Sequence, residues 1–396
     1  MILFCEINKT DQEHVMINSC LLKMISDYSR TQELELWIDK SHYQHFLFKP
    51  VGINIKYTTV VKPEKSNKLR WLWKIVSEIF IISNIILSAL LKNVHLIFFS
   101  SLSPVGNWYL SFISSITPGR LKFVITMHGE LTLASKTQHD KQIEGIYGRL
   151  LRNSFSRRNA NVRYLLLNAV IRKNVIAKNL LNEDQIIYIE HPYMFSQTNN
   201  VITRKDNLPI IFGHLGVAKL DKHSEKFFRL AERFKDYVLN GTVQFIVVGQ
   251  VLDDMNPFLN DYVLYQKSNE FISKEQYSIK ASTLSYSVFF YDEDTYAFTS
   301  SGALLDSISY STPILALKVE TFNILFSLEN GDPGFLVDNY DEMCLLVEKL
   351  ISKPHSEYIN LVNSIEERKK FFTVEAQYSV LKTQLDNFLY NHGSFS

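Results

Sequence analysis

The sequence is poor in cysteine, in charge of either net sign and in long uninterrupted apolar runs. Its 396 residues include three cysteines, Cys5, Cys20 and Cys344. Their spacing matches neither a disulfide framework nor a zinc site. We therefore expect three buried thiols in a reducing compartment and no structural metal.

A membrane-spanning run is also lacking. The most apolar stretch lies within residues 75–99, but Glu78 interrupts it and Lys92 closes it. It holds about 13 mostly apolar residues in sequence, short of the ~20 that a spanning helix requires. This predicts a buried or interfacial helix that leads into a strand. Met1 leads directly into an apolar segment without a basic stretch or cleavage site, so no secretory leader is expected.

The near-zero net charge of +1 conceals an asymmetry. Lys and Arg number 24 against 15 Asp and Glu in residues 1–200, and 18 against 26 in residues 201–396, so the halves carry +9 and −8. The length suits two domains, and the split predicts that the basic one faces an anionic surface. No Lys/Arg run or aromatic RNA-binding signature is present, so no nucleic-acid partner is expected.

Short apolar runs alternate with segments of helical length. The strand candidates are Ile2–Glu6, Leu34–Ile38, Ile53–Val60, Val94–Phe99, Phe123–Met127, Tyr164–Leu167, Ile186–Glu190, Ile210–Gly213, Gln244–Gly249, Val263–Tyr265, Val288–Tyr291, Pro313–Leu317 and Gly334–Val337. Strands that alternate with helices predict an α/β fold with parallel sheets covered on both faces. The expected architecture is two doubly wound, Rossmann-like domains facing a cleft, with ligands beyond the carboxyl ends of the strands.

The predicted domains are residues 1–195 and 205–375. The polar segment Ser196–Asn207 has the composition of a linker. The closing segment 376–396 is expected to form a helix that returns to the first domain.

The segment Ser287–Leu317 carries the clearest chemical pattern. An apolar strand is followed by the acidic residues Asp292, Glu293 and Asp294, and then by a helix start. That start contains Thr299, Ser300, Ser301 and Gly302, with Asp306 about one turn further on. Hydroxyls and amides at a helix N-terminus suit a phosphate group, and Asp306 is placed to reach a sugar hydroxyl. A helix cap alone would explain the hydroxyls equally well.

This segment resembles the donor-binding segment of nucleotide-sugar glycosyltransferases with the two-domain GT-B fold, as in glycosyltransferase families 1 and 4. Other parts of the chain resemble that family in order. Gly213-His214-Leu215-Gly216 with Lys219 is similar to its first C-domain strand and loop, and Phe245–Gly249 to the next strand with its glycine. Val124–Gly129 resembles the N-domain strand that ends in a histidine.

The resemblance implies roles for particular residues. Gly213, His214, Gly216, Lys219 and Gly249 would approach the donor diphosphate, with Lys222 as a weaker second cation. Thr299, Ser300, Ser301, Gly302 and Asp306 would complete the donor site. His128 and Glu130 would be catalytic, and Glu13, His14 and Asn18 would bind the acceptor. His191 would line the hinge, although a packed linker histidine is the simpler interpretation.

The chain departs from the family at one position. Many retaining members have Glu-x7-Glu in the donor helix; Asp306 matches the second acid, but Phe298 occupies the place of the first. Asp292, Glu293 or Asp294 would have to substitute. Retention and inversion therefore both stay open. No metal cofactor is expected, because in this fold helix dipoles and basic side chains stabilise the leaving diphosphate.

Basic residues precede the apolar helix. Residues 62–74 contain five Lys or Arg together with Trp71 and Trp73. Such a segment, with 75–92 after it and Arg157 and Arg158 nearby, predicts peripheral contact with an anionic membrane. A solvated basic face is the alternative.

The expected function is transfer of a sugar from a nucleotide-sugar donor to a hydroxyl of a glycan or undecaprenyl-linked glycan. Bacterial surface polysaccharide synthesis (O-antigen or capsule) in the cytoplasm, at the inner face of the membrane, is the expected setting. Two alternatives stand beside it: a sugar-nucleotide epimerase of the same fold, and a non-catalytic glycan-binding or scaffold protein, which Phe298 favours.

Overall fold

The computed structural model describes residues 1–29, 33–62, 68–139, 141–195, 208–267, 272–328, 331–353 and 357–390. The expected linker Ser196–Asn207 and the basic residue Lys65 lie outside these ranges. Contacts divide the chain into two compact units. The first unit comprises Met1–Met194, Phe298–Ser300 and Phe372–Ser396, and the second comprises Phe195–Ala297 and Ser301–Phe371.

The described chain forms thirteen strands. They are β1 (Ile2–Glu6), β2 (Leu34–Asp39), β3 (Asn54–Thr58), β4 (Leu96–Ser101), β5 (Lys122–Thr126), β6 (Val162–Leu166), β7 (Ile186–Tyr188), β8 (Ile210–Leu215), β9 (Val243–Val248), β10 (Val263–Leu264), β11 (Tyr286–Phe289), β12 (Ile314–Leu317) and β13 (Gly334–Val337).

Sixteen α-helices occur in the same ranges. They are α1 (Val15–Tyr28), α2 (Lys40–Gln44), α3 (Lys68–Leu91), α4 (Pro104–Ile113), α5 (Glu130–Ser135), α6 (Gln142–Ser156), α7 (Ala169–Ala177), α8 (Glu225–Arg233), α9 (Lys235–Leu239), α10 (Lys274–Ser282), α11 (Glu293–Tyr296), α12 (Gly302–Ser309), α13 (Glu320–Phe326), α14 (Tyr340–Ser352), α15 (Tyr358–Phe372) and α16 (Val374–Tyr390).

The first unit is built on a seven-stranded sheet in the order β3-β2-β1-β4-β5-β6-β7, and its strand pairs are parallel. Alternate residues of each strand face opposite sides of the sheet. On one side Phe4, Leu36 and Phe98 pack with α1 and α16. The order reverses between β1 and β4, which is where doubly wound sheets bind ligands.

The second unit repeats this design with six strands in the order β10-β9-β8-β11-β12-β13, again parallel. Stacked rings fill one side of its sheet, with Phe212 between Phe245 and Tyr286 at centroid distances of 5.3 and 5.7 Å. Its order reverses between β8 and β11. The expected α/β class with two doubly wound parallel sheets is confirmed.

The last helix, α16, belongs to the first unit. Leu381 and Leu385 are buried in its core. Gln384 binds both polar groups of the Tyr188 backbone, at 2.9 Å to the N–H and 2.7 Å to the carbonyl oxygen. Tyr193, where the chain leaves the unit, donates its N–H to the carbonyl of Phe372, where the chain returns, at 2.8 Å.

Helix α3 is longer than the apolar stretch read from the sequence. Its part Leu69–Leu91 is long and apolar enough, by length and composition, to cross a bilayer, and 28% of its most apolar window is buried. The buried face includes Ile82, Ile85 and Ala89. Glu78 accepts a hydrogen bond from the Ser103 N–H at 2.9 Å, which joins α3 to the start of α4. Helix α3 is therefore also part of the first unit's packing.

A buried arginine organises one loop of the second unit. The guanidinium of Arg368, 1% exposed, donates to four backbone carbonyls, those of Leu325, Leu328, Gly331 and Ser364. These bonds replace water for both the cation and the carbonyls, and the nearby Asp332 adds a favourable charge interaction with the guanidinium.

Candidate functional site

At the switch point of the first sheet, β1 ends in a buried carboxylate. Glu6 accepts hydrogen bonds from the backbone N–H groups of Asn8 and Lys9, both at 2.9 Å. It also accepts from the hydroxyls of Ser100 and Ser101, at 2.7 and 2.8 Å. Asn18 Nδ2 is a fifth donor, at 3.1 Å. Glu6 thus ties the loop after β1 to the end of β4.

His128 lies beside this cluster, just after β5. Its Nε2 is 2.8 Å from the Ser100 carbonyl oxygen, so Nε2 carries the proton in the neutral ring and Nδ1 keeps the lone pair. The Glu130 carboxylate accepts from the His128 N–H at 2.9 Å and thereby closes the turn that starts α5. The structure therefore brings His128 and Glu130 together.

Of the predicted acceptor residues, His14 joins this group. Its ring contacts His128 edge-on, with centroids 4.8 Å apart, and its backbone is left-handed, with φ 54°. Desolvation, reinforced by His128, lowers the pKa of His14 to about 2. The imidazole is therefore neutral at neutral pH, although the residue as a whole is exposed.

The other two acceptor candidates differ from His14. Asn18 is fully buried and its amide nitrogen lies 3.0 Å from His42 Nε2 as well as near Glu6. It therefore positions the loop rather than offering an amide to a ligand. Glu13 is exposed, and the Glu13 N–H donates to the Thr10 carbonyl at 3.1 Å.

A second buried acid follows β7. Glu190 is 4% exposed; its Oε1 accepts from the Ala169 N–H at the start of α7 at 2.9 Å, while Oε2 has no hydrogen-bond partner among the described residues. Burial raises the pKa of Glu190 to about 7. Burial also lowers the pKa of the adjacent His191 to about 4.

In the second unit, glycines bring two strand ends together. Gly216 follows β8 with φ +83°, and Gly249 follows β9 with φ +149°. A Cβ on Gly249 would lie 2.1 Å from the Gly216 carbonyl oxygen, so any side chain there would push the strand ends apart. A Cβ on Gly216 would lie 3.6 Å from Ala303 and 3.8 Å from the Lys222 ammonium nitrogen. Gly216 therefore marks a point where α12 and Lys222 meet.

The two candidate lysines occupy different surroundings. Burial and the neighbouring Lys219 lower the pKa of Lys222 to about 8, while Asp306 acts in the opposite direction. Lys219 forms an ion pair with Asp221 at 3.2 Å. Lys219 precedes the one-turn 3-10 helix Leu220–Lys222 and Lys222 ends it, and it is the Lys222 ammonium that lies by Gly216.

The residues before that turn are packed. A Cβ on Gly213 would lie 2.2 Å from Leu284 Cδ1, so this glycine makes room for a leucine inside the sheet. His214 is buried with its Nε2 2.7 Å from Ser224 Oγ, and the same oxygen accepts from the Lys219 N–H at 3.0 Å. Gly213 and His214 therefore contribute to packing next to the turn, and neither is placed to bind a ligand directly.

Helix α12 begins with a hydroxyl cap. Ser301 Oγ accepts from the Leu304 N–H at 3.2 Å and contacts the Tyr291 hydroxyl at 2.9 Å. Gly302 is exposed, with open space where a Cβ would stand, and the first-turn amides have no partner within the helix. Asp306 accepts from the Tyr277 hydroxyl at 2.7 Å.

The residues just before α12 contact the first unit's elements and are grouped with it. Ser300 donates to the Leu167 carbonyl at 2.7 Å, and Thr299 Oγ1 lies 3.4 Å from Thr132 Oγ1. Phe298 is buried, with the Lys178 ammonium 5.4 Å from its ring centroid. An aromatic side chain thus occupies the position of the family's first acid.

Two of the three acidic residues after β11 already form contacts within the second unit. Asp292 pairs with His223 at 2.6 Å, and Glu293 accepts from the Glu320 N–H at 3.3 Å. Asp294 is exposed. In the part of the chain that the structure describes, no three His, Cys, Asp or Glu side chains form a group able to hold a metal ion.

Several residues of these sites escape sequence reasoning. Glu6 and Glu190 each end a predicted strand, and a charged residue closing an apolar run is the signal that would have singled them out. His42, Tyr277 and His223 have no such signal, because their partners are distant in sequence.

Two doubly wound parallel sheets, each with a switch point, are the components of the GT-B fold. Neither the protein-family models nor the curated protein sequences match this chain. Solved structures do. HepE from Anabaena, in complex with UDP, superposes with a TM-score of 0.63 at 14% identity over 98% of this chain and 99% of that one.

Two further structures are similar to nearly the whole chain. Sucrose-phosphate synthase from Thermosynechococcus elongatus gives a TM-score of 0.68 at 11% identity over 98% of this chain and 99% of its own. A glycosyltransferase from Rickettsia africae gives 0.60 at 12% identity over 99% of both chains. The predicted resemblance to the GT-B fold is confirmed.

Proposed function

We propose that the protein is a glycosyltransferase that moves a sugar from a nucleotide-sugar donor to a hydroxyl of a glycan or lipid-linked glycan. The observation that carries this proposal is the arrangement beyond β8, where Lys222, Gly216 and the start of α12 meet beside Asp306. The fold supports it, because HepE was crystallised with UDP, with UDP and glucose, and with UDP-glucose.

The proposed donor site uses Lys222 and the first-turn amides of α12 to hold the diphosphate. A partly desolvated ammonium and the amides of Gly302 and Ala303, which precede the amide that Ser301 caps, would stabilise the charge that grows on the diphosphate as the sugar leaves. Asp306, oriented by Tyr277, would accept a hydrogen bond from the ribose. No metal or other cofactor is part of the proposal.

The proposed acceptor side comprises His128, Glu130 and His14. The lone pair on His128 Nδ1 suits a hydrogen bond from a sugar hydroxyl, and the Glu130 carboxylate is the nearby base. Glu6 and Asn18 hold this edge of the sheet in place. Glu13 remains an exposed candidate for the acceptor.

The donor proposal predicts a ranking of two lysine variants. Lys222→Ala should weaken the binding of one nucleoside diphosphate at least tenfold, because it removes the cation nearest α12. Lys219→Ala is the matched control and should change binding less than threefold, because Lys219 is paired with Asp221. Calorimetric titration of the wild type and both variants with UDP, GDP, CMP and dTDP measures this. The reverse ranking would assign the phosphate to Lys219, and absence of nucleotide binding by folded wild type would contradict the proposal.

Product analysis separates transfer from the alternatives. Nucleotide released only in the presence of a glycan acceptor supports a transferase. A rearranged sugar nucleotide without acceptor would identify an epimerase, and no turnover with bound nucleotide would identify a scaffold, for which Phe298 is the favouring feature.

The proposed setting is surface-polysaccharide assembly, O-antigen or capsule, at the cytoplasmic face of a bacterial membrane. The support is the outer stripe of α3, which we define as its exposed apolar residues Leu69, Leu72, Trp73, Val76, Phe80, Leu87, Leu90 and Leu91. Their spacing places them along one side of the helix. Arg70 is exposed at its start, and Arg157 and Arg158 are exposed after α6. Trp71 differs, since its Nε1 donates to Tyr147 at 3.0 Å.

Membrane contact is tested with the double variant Phe80→Ser/Leu87→Ser. The two side chains are 66% and 56% exposed. Burying each of them in lipid is favourable by ~1.5–3 kcal/mol of free energy. We expect at least tenfold weaker co-sedimentation with phosphatidylcholine–phosphatidylglycerol vesicles. Leu345→Ser, on α14 and 62% exposed, is the control and should bind as wild type. Equal binding by all three proteins would exclude the outer stripe as the membrane surface.

A further inference from the structure

A cavity of about 480 Å³ opens in the first unit, beyond the carboxyl ends of β1, β2 and β3. Its volume lies within the range of small-molecule sites. The walls come from the loop after β1, the start of α2, the segment after β3 and the first turns of α3. None of its residues belongs to the proposed catalytic group.

The cavity wall at Asp11 is held in place by hydrogen bonds. Asp11 has a left-handed backbone with φ 49°. Its carbonyl accepts from His42 Nδ1 at 2.8 Å, and its N–H donates to Ser41 Oγ at 3.3 Å. Ser41 in turn donates to Asp39 at 2.6 Å. The left-handed backbone of Asp11 is held by hydrogen bonds to both its N–H and its carbonyl. An uncommon backbone conformation that is fixed in this way is a sign of preorganisation.

The lining combines both charges with one large ring. Asp11 forms an ion pair with Lys62, and Arg70 and Trp73 complete the far wall. The indole of Trp73 is 62% exposed. An anionic ligand would meet two aspartates here, and a cationic one would meet Lys62 and Arg70. A neutral polyol satisfies donors and acceptors of both kinds, and its apolar ring face suits an indole.

We propose that this cavity binds a neutral sugar residue of the acceptor, separate from the residue that receives the transferred sugar. β2 lies three strands from β5 in the sheet, so about 14 Å separates the cavity from His128 at a strand spacing of ~4.8 Å. Trp73 belongs also to the outer stripe, so the bound sugar lies next to the proposed lipid surface. The role as acceptor subsite rests on the proposed transferase function; the binding of a neutral sugar does not.

The test is direct binding of methyl glycosides of glucose, galactose, mannose and N-acetylglucosamine, followed by saturation-transfer NMR on the full chain. At least one glycoside should bind the wild type, and Trp73→Ala should weaken it at least tenfold. Asp11→Asn should weaken it severalfold and serves as the second variant if Trp73→Ala unfolds. Trp71→Phe is the control and should bind as wild type, because Trp71 does not line the cavity and its ring packs against Tyr147 instead.

Three results would overturn the inference. They are no binding of any glycoside up to 100 mM, binding that Trp73→Ala and Asp11→Asn leave unchanged, and displacement of the glycoside by inorganic pyrophosphate, which would mark an anion site. Nucleotide titration of the same samples reports on the second unit alone, so loss of the donor proposal and loss of this subsite give different results.

Discussion

Glu6→Ala is expected to lower the free energy of unfolding of the first unit by about 4 kcal/mol, a near-thousandfold change in the folding equilibrium. The variant removes the acceptor of five hydrogen bonds at the β1–β4 switch point. It leaves buried hydroxyls and amides without a partner, and each orphaned buried donor costs roughly 1–3 kcal/mol. Urea unfolding followed by tryptophan fluorescence measures the loss, since all four tryptophans lie in residues 37–108.

Two companions make this result specific. Glu6→Gln keeps the shape but replaces an acceptor with a donor, so it should lose a large part of the same energy. Glu13→Gln, an exposed neighbour, should stay within about 0.5 kcal/mol of wild type. If Glu6→Ala were as stable as Glu13→Gln, the cluster would have no structural role. Nucleotide binding should survive in Glu6→Ala below its unfolding midpoint, because the donor residues belong to the second unit.

Glu190 is expected to lower the free energy of unfolding of the first unit as the pH rises from about 5 to 8, and Glu190→Gln should remove that contribution. The lowered pKa values of His14 and His191 act in the opposite direction, so the difference between the two proteins isolates Glu190. The pKa of Glu190 is raised from 4.5 to about 7 in the folded chain. Between these values the folded state keeps a proton on Glu190 that the unfolded state has released, so the contribution of this group to the free energy of unfolding decreases as the pH rises. One pKa unit corresponds to about 1.4 kcal/mol, which gives roughly 3 kcal/mol in all.

The measurement is urea unfolding of wild type and Glu190→Gln at pH 5 and pH 8. The variant should match wild type at pH 5 and exceed it at pH 8. Glu183→Gln is the control, since Glu183 is exposed and paired with Arg172 at 2.8 Å, and it should follow the wild-type pH dependence. Parallel curves for Glu190→Gln and wild type would show that Glu190 does not titrate in this range.

The strands were predictable because parallel strands buried on both faces appear as nearly continuous apolar runs. Each of the thirteen predicted strands overlaps a strand of the structure. The shorter helices α2, α7 and α13 were not predicted, since helices of one or two turns carry little periodicity. The segment Ser224–Leu239 has helical periodicity throughout its length, but in the structure it forms two helices, because the helix is interrupted at Phe234.

The sites were predictable only in outline. A hydroxyl-glycine helix start and a histidine after a strand are local patterns, and the structure places them at strand ends. Which lysine lies by Gly216 depends on the short 3-10 helix Leu220–Lys222, which the spacing of the residues does not predict. The burial of Asn18 depends on His42, 24 residues away.

The division of the chain has a consequence for biosynthesis. Residues up to Met194 complete the first unit's sheet, but α16, which covers one face of that sheet, begins only at Val374. A ribosome adds the intervening ~180 residues at about 5–20 per second, so the face stays uncovered for on the order of 10–40 seconds. The second unit emerges within that interval and can fold first. The protein therefore most needs a chaperone during the interval before α16 has been synthesised.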